Sequence, residues 1–148
     1  MRALIQRVKQ AELFVDNQLV SSIDSGLLVL LGIADGDTKK EISYIVKKIT
    51  NLRIFEDDAG KMNLNLTQVS GQLLLVSQFT LHANTLHGNR PSFIKAMEYH
   101  HAQELFDEAV EAFKASIDVK TGVFGAHMEI HPVLDGPVTI LIDTDETK

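Results

Sequence analysis

Apolar residues along this chain fall into blocks whose spacing separates strands from helices. Leu27-Leu28-Val29-Leu30-Leu31-Gly32-Ile33 and Gln72-Leu73-Leu74-Leu75-Val76 are continuous apolar runs. They are short enough for strands and apolar enough to be covered on both faces. Ahead of them, Leu4 and Arg7-Val8 open a first strand. Leu13-Phe14-Val15 leads into Asp16-Asn17, a pair that tolerates positive φ in a hairpin turn, and Leu19-Val20 returns. Thr38 with Glu41 forms a capping box, and Ile42, Ile45, Val46, Ile49 and Leu52 recur at helical spacing. That predicts a helix over 38–52, with Lys39, Lys40, Lys47 and Lys48 as a solvated face. A second stripe, Ala102, Leu105, Ala109, Ala112, Phe113 and Ile117, predicts a helix over 97–116. Met128, Ile130 and Val133, then Val138 to Ile142, read as two late strands with Asp135-Gly136-Pro137 turning between them. Asp143 to Lys148 reads as a frayed polar tail. Residues 53–71 read as an irregular loop, and so do residues 82–93. The expected fold is α+β. A single domain spans 1–148, and two main helices pack on a largely antiparallel, barrel-like sheet.

Composition narrows the function classes. The chain has 148 residues, is 45% hydrophobic and 23% charged, and contains no cysteine. That is enough apolar material for one core, and it removes disulfides, thiolate nucleophiles and cysteine-bound metals. Charges interrupt Met1 to Arg7 too early for a signal peptide, and no apolar run approaches the ~20 residues of a membrane span. The expected compartment is the cytoplasm, without a membrane partner. A net charge of −6 argues against coating nucleic acid by bulk electrostatics, although a small basic patch can still touch an RNA end.

The second half of the 72–81 stretch turns polar. Ser77, Gln78 and Thr80 place hydroxyl and amide groups where a buried strand ends, with Phe79 among them, which suits the lip of a pocket. The usual nucleotide, dinucleotide, zinc-protease and serine-hydrolase motifs are missing. His127 and His131 would stand ~13 Å apart along a strand, too far to share a metal. Asp57 and Asp58 have no third carboxylate at a ligand spacing. No metal and no cofactor is expected. Backbone groups are the chemistry left: amides at the 77–81 strand end facing an oxyanion, and the carbonyls of a rigid Gly136-Pro137 pair. Gly88-Asn89-Arg90-Pro91-Ser92-Phe93 combines a guanidinium with glycine and an aromatic ring, which suits a phosphate or a base; Arg90 equally suits a surface charge.

Ser77-Gln78-Phe79-Thr80-Leu81 and Gly136-Pro137-Val138-Thr139 resemble the two signature motifs of the D-aminoacyl-tRNA deacylase family. Asn51-Leu52-Arg53-Ile54-Phe55, Lys61-Met62-Asn63, the 88–93 loop and Thr121-Gly122-Val123-Phe124-Gly125-Ala126 resemble further family patterns in the same order. Asp135 departs from the asparagine usual before the glycine. The resemblance implies hydrolysis of the ester of D-aminoacyl-tRNA or glycyl-tRNA by a homodimer with active sites at the subunit interface. It implies that Gly136 and Pro137, joined by a cis bond, enter the partner's pocket and reject L side chains, with Arg7 orienting the motif. A surface ion pair is the other reading of Arg7. Ser77, Gln78, Phe79 and Thr80 would line the opposite wall as the catalytic set, with the ribose 2′-hydroxyl assisting water. A covalent role for Thr80 stays open. Arg90 is a candidate tRNA contact. Rival classes are a non-catalytic module binding aminoacyl-tRNA ends, a structural oligomer, and a small-molecule esterase.

Overall fold

The computed structural model describes residues 1–147; Lys148, the end of the expected frayed tail, lies outside the described residues. Strand β1, Arg2–Val15, is the spine. It pairs antiparallel with β2, Gln18–Ile23, with β3, Gly26–Gly32, and with β8, Glu129–Asp143. Three partners for one strand curl the sheet toward a barrel. Asp16 and Asn17 make the β1–β2 turn at φ 49° and 61°, the left-handed geometry that short polar side chains tolerate. On the far side of β3 the sheet turns parallel, through β6, Gln72–Ser77, to β7, Asp118–Thr121. Helix α1, Lys39–Asn51, and helix α2, Tyr99–Lys114, pack on one face. The 53–71 segment, expected to be irregular, contains a small hairpin of β4, Phe55–Glu56, and β5, Met62–Leu64.

The two apolar runs are buried on both faces, which accounts for their lack of alternation. In β6, Leu73 and Leu75 face the core beneath the helices, while Leu74 and Val76 face a second cluster with Val8, Leu13 and Ile23. Each such side chain contributes about 1.5–3 kcal/mol on burial. Strand β1 changes allegiance along its length: Ala3 and Ile5 belong to the first cluster, Val8, Ala11 and Leu13 to the second. Arg7 stands at the crossover. The α1 capping box is present, with Thr38 N–H donating to Glu41 at 2.8 Å and Lys40 N–H to the Thr38 hydroxyl.

Two expectations at the C-terminal end are corrected. The late strands are one continuous strand, β8, and Asp135-Gly136-Pro137 is no hairpin turn. Gln6 pairs with Thr139 and Val8 with Leu134, so the four residues 135–138 of β8 face the single residue Arg7 of β1. This is a bulge, in which surplus chain is pushed out of the ladder while pairing resumes on both sides. A Gly-Pro pair reads as a turn in sequence because it cannot continue regular pairing, and a bulge answers that need as well as a turn. The segment after β8 is a single 3-10 turn, Thr144–Thr147, tied to the fold at Thr144. Thr144 is buried, its N–H donates to Met1 O at 2.9 Å, and the Met1 ammonium donates to the Thr144 hydroxyl and to Asp37.

Candidate active site

Where β6 ends, the chain leaves the sheet in a single 3-10 turn, Phe79–His82. Ser77, Gln78 and Phe79 form one side of a cavity of about 540 Å³; Tyr99, Phe124 and the 125–128 segment form the other. This is the size of a small-molecule site. The wall is mainly apolar, with Ser77, Gln78, Tyr99 and His127 supplying side-chain polar groups.

Polar groups on the 77–80 stretch are partly committed. Gln78 N–H donates to Leu31 O at 2.8 Å, so that amide cannot serve a ligand, contrary to a reading that counts every amide of the stretch. The first amides of the turn, those of Phe79 and Thr80, have no partner within it, and no side chain caps it. The Gln78 carboxamide donates to the Thr80 hydroxyl. Thr80 is exposed just beyond the cavity lining. Its oxygen receives a donor and no hydrogen bond carries its proton to a base, which is the opposite of the environment that activates a nucleophile.

His82 closes the turn from beneath. It is 6% exposed, and its Nε2 has no hydrogen-bond partner. Burial pushes the imidazole below the ordinary histidine range. A backbone hydrogen bond at Gly32 and the Asp37 carboxylate oppose that; the Met1 ammonium and Arg2 add to it. The turn packs directly on Gly32, where a Cβ would stand 2.9 Å from Gln78 O and 3.2 Å from the His82 ring.

Gly136 and Pro137 lie elsewhere. The peptide between them is cis, Gly136 has φ +129°, and both residues are exposed on the β8 bulge. Arg7, beneath them, is buried rather than a surface residue, at 6% exposure. Its guanidinium donates to Ile54 O at 2.6 Å and to Asp135 O at 3.2 Å, and Nε lies 3.3 Å from the Asp135 carboxylate. The charge at position 135 is therefore paired. Along β3, Arg7 stands opposite Leu27 and Ser77 opposite Leu31. Four residues at ~3.3 Å each separate the two levels by roughly 13 Å.

So the structure brings Ser77, Gln78 and Phe79 together at one cavity, with Thr80 at its edge. It groups Arg7, Gly136 and Pro137 in a second place, and leaves Arg90 exposed on the loop before α2. The far wall, Tyr99 and Phe124 to Met128, was not anticipated. The glycines of Thr121–Gly125 signal a turn, and nothing local shows that this turn folds back over β6. Among the described residues no group of three or more histidines or carboxylates is placed to hold a metal, and no helix is long and apolar enough to cross a membrane.

Comparison with known proteins covers nearly the whole chain. A family model described as D-Tyr-tRNA(Tyr) deacylase matches residues 4–143. A D-aminoacyl-tRNA deacylase of Kosmotoga olearia is 51% identical over 144 residues, covering 97% of each chain. One of Fusobacterium nucleatum is 49% identical over 149 residues, covering 100% of this chain and 99% of that one. A solved structure described as c-Myc DNA Unwinding Element Binding Protein superposes with a TM-score of 0.93 at 40% identity, over 97% of this chain and 98% of that one. A probable eukaryotic D-amino acid tRNA deacylase, 18% identical, shares the fold with a TM-score of 0.83 over 95% of this chain and 97% of that one.

Proposed function

This chain belongs to the D-Tyr-tRNA(Tyr) deacylase family, and on that premise we propose that it hydrolyses the ester of D-aminoacyl-tRNA, releasing a free amino acid and tRNA. The observation that carries the reading is the end of β6: Ser77, Gln78 and Phe79 line a cavity of about 540 Å³, with Thr80 at its edge and its hydroxyl bonded to the Gln78 carboxamide rather than to a base. In the proposed reaction, water adds to the ester carbonyl and the bond to the ribose 3′-oxygen breaks. The 2′-hydroxyl of the same ribose helps take the water's proton, and the 3′-oxygen leaves protonated. The Phe79 and Thr80 amides face the developing oxyanion. Gln78 and Thr80 position the ribose, and the rate comes from orientation more than from a side-chain base.

Stereochemistry is assigned to the bulge of a second copy. Gly136 and Pro137 are exposed and stand at a different level from their own chain's cavity. Val133, Leu134 and Leu141 on the same strand are exposed apolar side chains. A homodimer that covers this strip would bring one copy's Gly136-Pro137 carbonyls to the other's cavity, where they accept bonds from the substrate amino group and leave no room for an L side chain. Glycine, with no side chain to reject, would be cleared from tRNA as well. Arg7 holds the bulge in place. The cytoplasm is the compartment assigned.

Deacylation of D- and L-tyrosyl-tRNA tests the activity and separates it from a module that binds the RNA end and leaves the ester intact. Thr80→Ala tests the mechanism. With the hydroxyl only positioning, kcat falls about tenfold, against roughly 10⁶-fold when a covalent nucleophile is removed. Near-total loss in a folded, tRNA-binding Thr80→Ala protein would overturn the substrate-assisted scheme.

A further inference from the structure

Acidic residues are spread through this chain except in one window. Of 20 aspartates and glutamates, none falls between Ala59 and Met97, where Lys61, Arg90 and Lys95 are the basic residues. In space, the latter part of that window is an arm. It leaves the cavity rim after the 79–82 turn and returns to the cavity wall at Ala96 and Met97. Its base is closed by Asn84 and Ser92, which exchange two backbone hydrogen bonds at 2.8 and 2.9 Å. Phe93 contacts the cavity residue Phe79 edge-on at 5.0 Å between ring centres, and Lys95 O accepts from Asp35 N–H at 3.0 Å.

The arm is built to stand clear of the fold and to carry groups the fold does not use. Arg90 and Lys95 are exposed, and neither is paired with a carboxylate among the described residues. Arg2, Arg7, Lys39, Lys114 and Lys120 each have such a partner. Lys9, Lys40, Lys47, Lys48, Arg53 and Lys61 share the unpaired state among the described residues, but stand away from the cavity mouth or in stretches with carboxylates nearby in sequence. Leu86 and Ile94, at 83% and 91% exposure, are the two most exposed large apolar side chains among the described residues. Unpaired cations, two uncovered apolar side chains and no carboxylate, attached at both ends to a cavity of about 540 Å³, match a single RNA strand: phosphates for the cations, base faces for the apolar surface. In a chain of net charge −6, this local patch also keeps the RNA backbone from being repelled at the cavity mouth.

We propose that the 83–95 arm is the docking surface for the single-stranded 3′ end of the tRNA, with Arg90 and Lys95 neutralising its phosphates while the terminal ester lies in the cavity. The proposal rests on the deacylase reading of that cavity and adds the element that distinguishes tRNA from a free nucleoside ester.

The test uses Arg90→Ala/Lys95→Ala with two substrates, D-tyrosyl-tRNA and D-tyrosyl-adenosine, and anisotropy of labelled tRNA as a readout independent of hydrolysis. The expected result is a rise of about tenfold in KM for D-tyrosyl-tRNA with kcat and D-tyrosyl-adenosine turnover unchanged. The slope of log affinity against log salt becomes shallower by about 1.4, two contacts at ~0.7 each. An Arg90→Lys/Lys95→Arg exchange keeps the wild-type salt slope. Equal damage to both substrates, or no change in either, overturns the proposal. So does a Leu86→Ser/Ile94→Ser protein that loses its oligomeric state and keeps its tRNA affinity, because the arm would then be covered by a second copy. A wild-type protein that cleaves neither ester, yet loses tRNA affinity on the double substitution, sinks the deacylase reading and leaves the docking surface standing.

Discussion

At the end of β6 the chain turns inward, and at the bulge of β8 it turns outward. Ser77, Gln78 and Phe79 line a concavity; Gly136 and Pro137 stand on a convexity about four strand residues away in level. Their supports differ in kind. The inward turn rests on His82, a buried imidazole that burial holds toward its neutral form. The outward bulge rests on Arg7, a buried guanidinium whose fixed charge is satisfied by two carbonyls and a carboxylate. A receptive wall needs amides left free, so its support must not crowd it with charge. A protruding wedge needs rigidity, and a forked donor gripping two main-chain oxygens provides that.

The comparison breaks most visibly at Gly136. Its φ of +129° is strained for any L side chain, and an added Cβ would meet Val138 at 2.9 Å and Arg7 at 3.4 Å. Gly136→Ala should therefore displace the bulge while leaving both core clusters intact. We expect the ratio of D- to L-tyrosyl-tRNA hydrolysis to fall by about 10²-fold, the scale on which a small steric change is felt in a recognition pocket. The melting temperature should fall by only several degrees, the scale of about 1–3 kcal/mol of local backbone strain. An unchanged ratio would mean that the bulge filters nothing.

Arg7 sharpens the contrast from the side of stability. Arg7→Ala leaves Ile54 O and Asp135 O without their donor and the Asp135 carboxylate without its partner. A loss of about 3 kcal/mol in urea unfolding is expected, from buried groups left unsatisfied beside a charge. Arg7→Lys should restore little of it, because an ammonium cannot reach the two oxygens in the geometry of a fork. A loss below about 1 kcal/mol would show that the bulge holds without its guanidinium.

How far these regions were legible depends on the range of the interactions that make them. The β6 run, the Asp16-Asn17 turn and the Thr38–Glu41 cap are local, and apolar spacing and turn chemistry report them directly. The polar step at Ser77 marked the cavity lip because polar groups at the end of a doubly buried strand need a use. The β8 bulge was read as a turn because Gly136-Pro137 announces broken pairing without saying that pairing resumes; that is decided by β1, more than a hundred residues earlier. The far wall of the cavity and the burial of His82 were silent for the same reason. Nothing near Phe124 or His82 in sequence shows what lies against it in space.

The smallest effect expected is at His82, and it carries a sign. Its folded-state pKa is lowered, chiefly by burial. As pH falls below the ordinary histidine value of about 6.5, the unfolded chain takes up the proton first. The unfolded state then binds more protons than the folded one, so stability falls with falling pH. The contribution is fully present above pH ~6.5 and is lost on descent toward the folded value. The charged groups around the ring are the Met1 ammonium, Arg2 and the Asp37 carboxylate. The two cations repel an imidazolium, and Asp37 already holds the Met1 ammonium at 2.8 Å. His82→Phe keeps a ring of similar size and removes the titration. Between pH 7 and pH 5 its urea midpoint should fall less steeply than that of wild type, by no more than one proton's worth of slope. Arg7→Lys should keep the wild-type slope, since the bulge has no such group. Parallel curves for wild type and His82→Phe would show that the turn carrying Phe79 and Thr80 does not depend on a neutral ring beneath it.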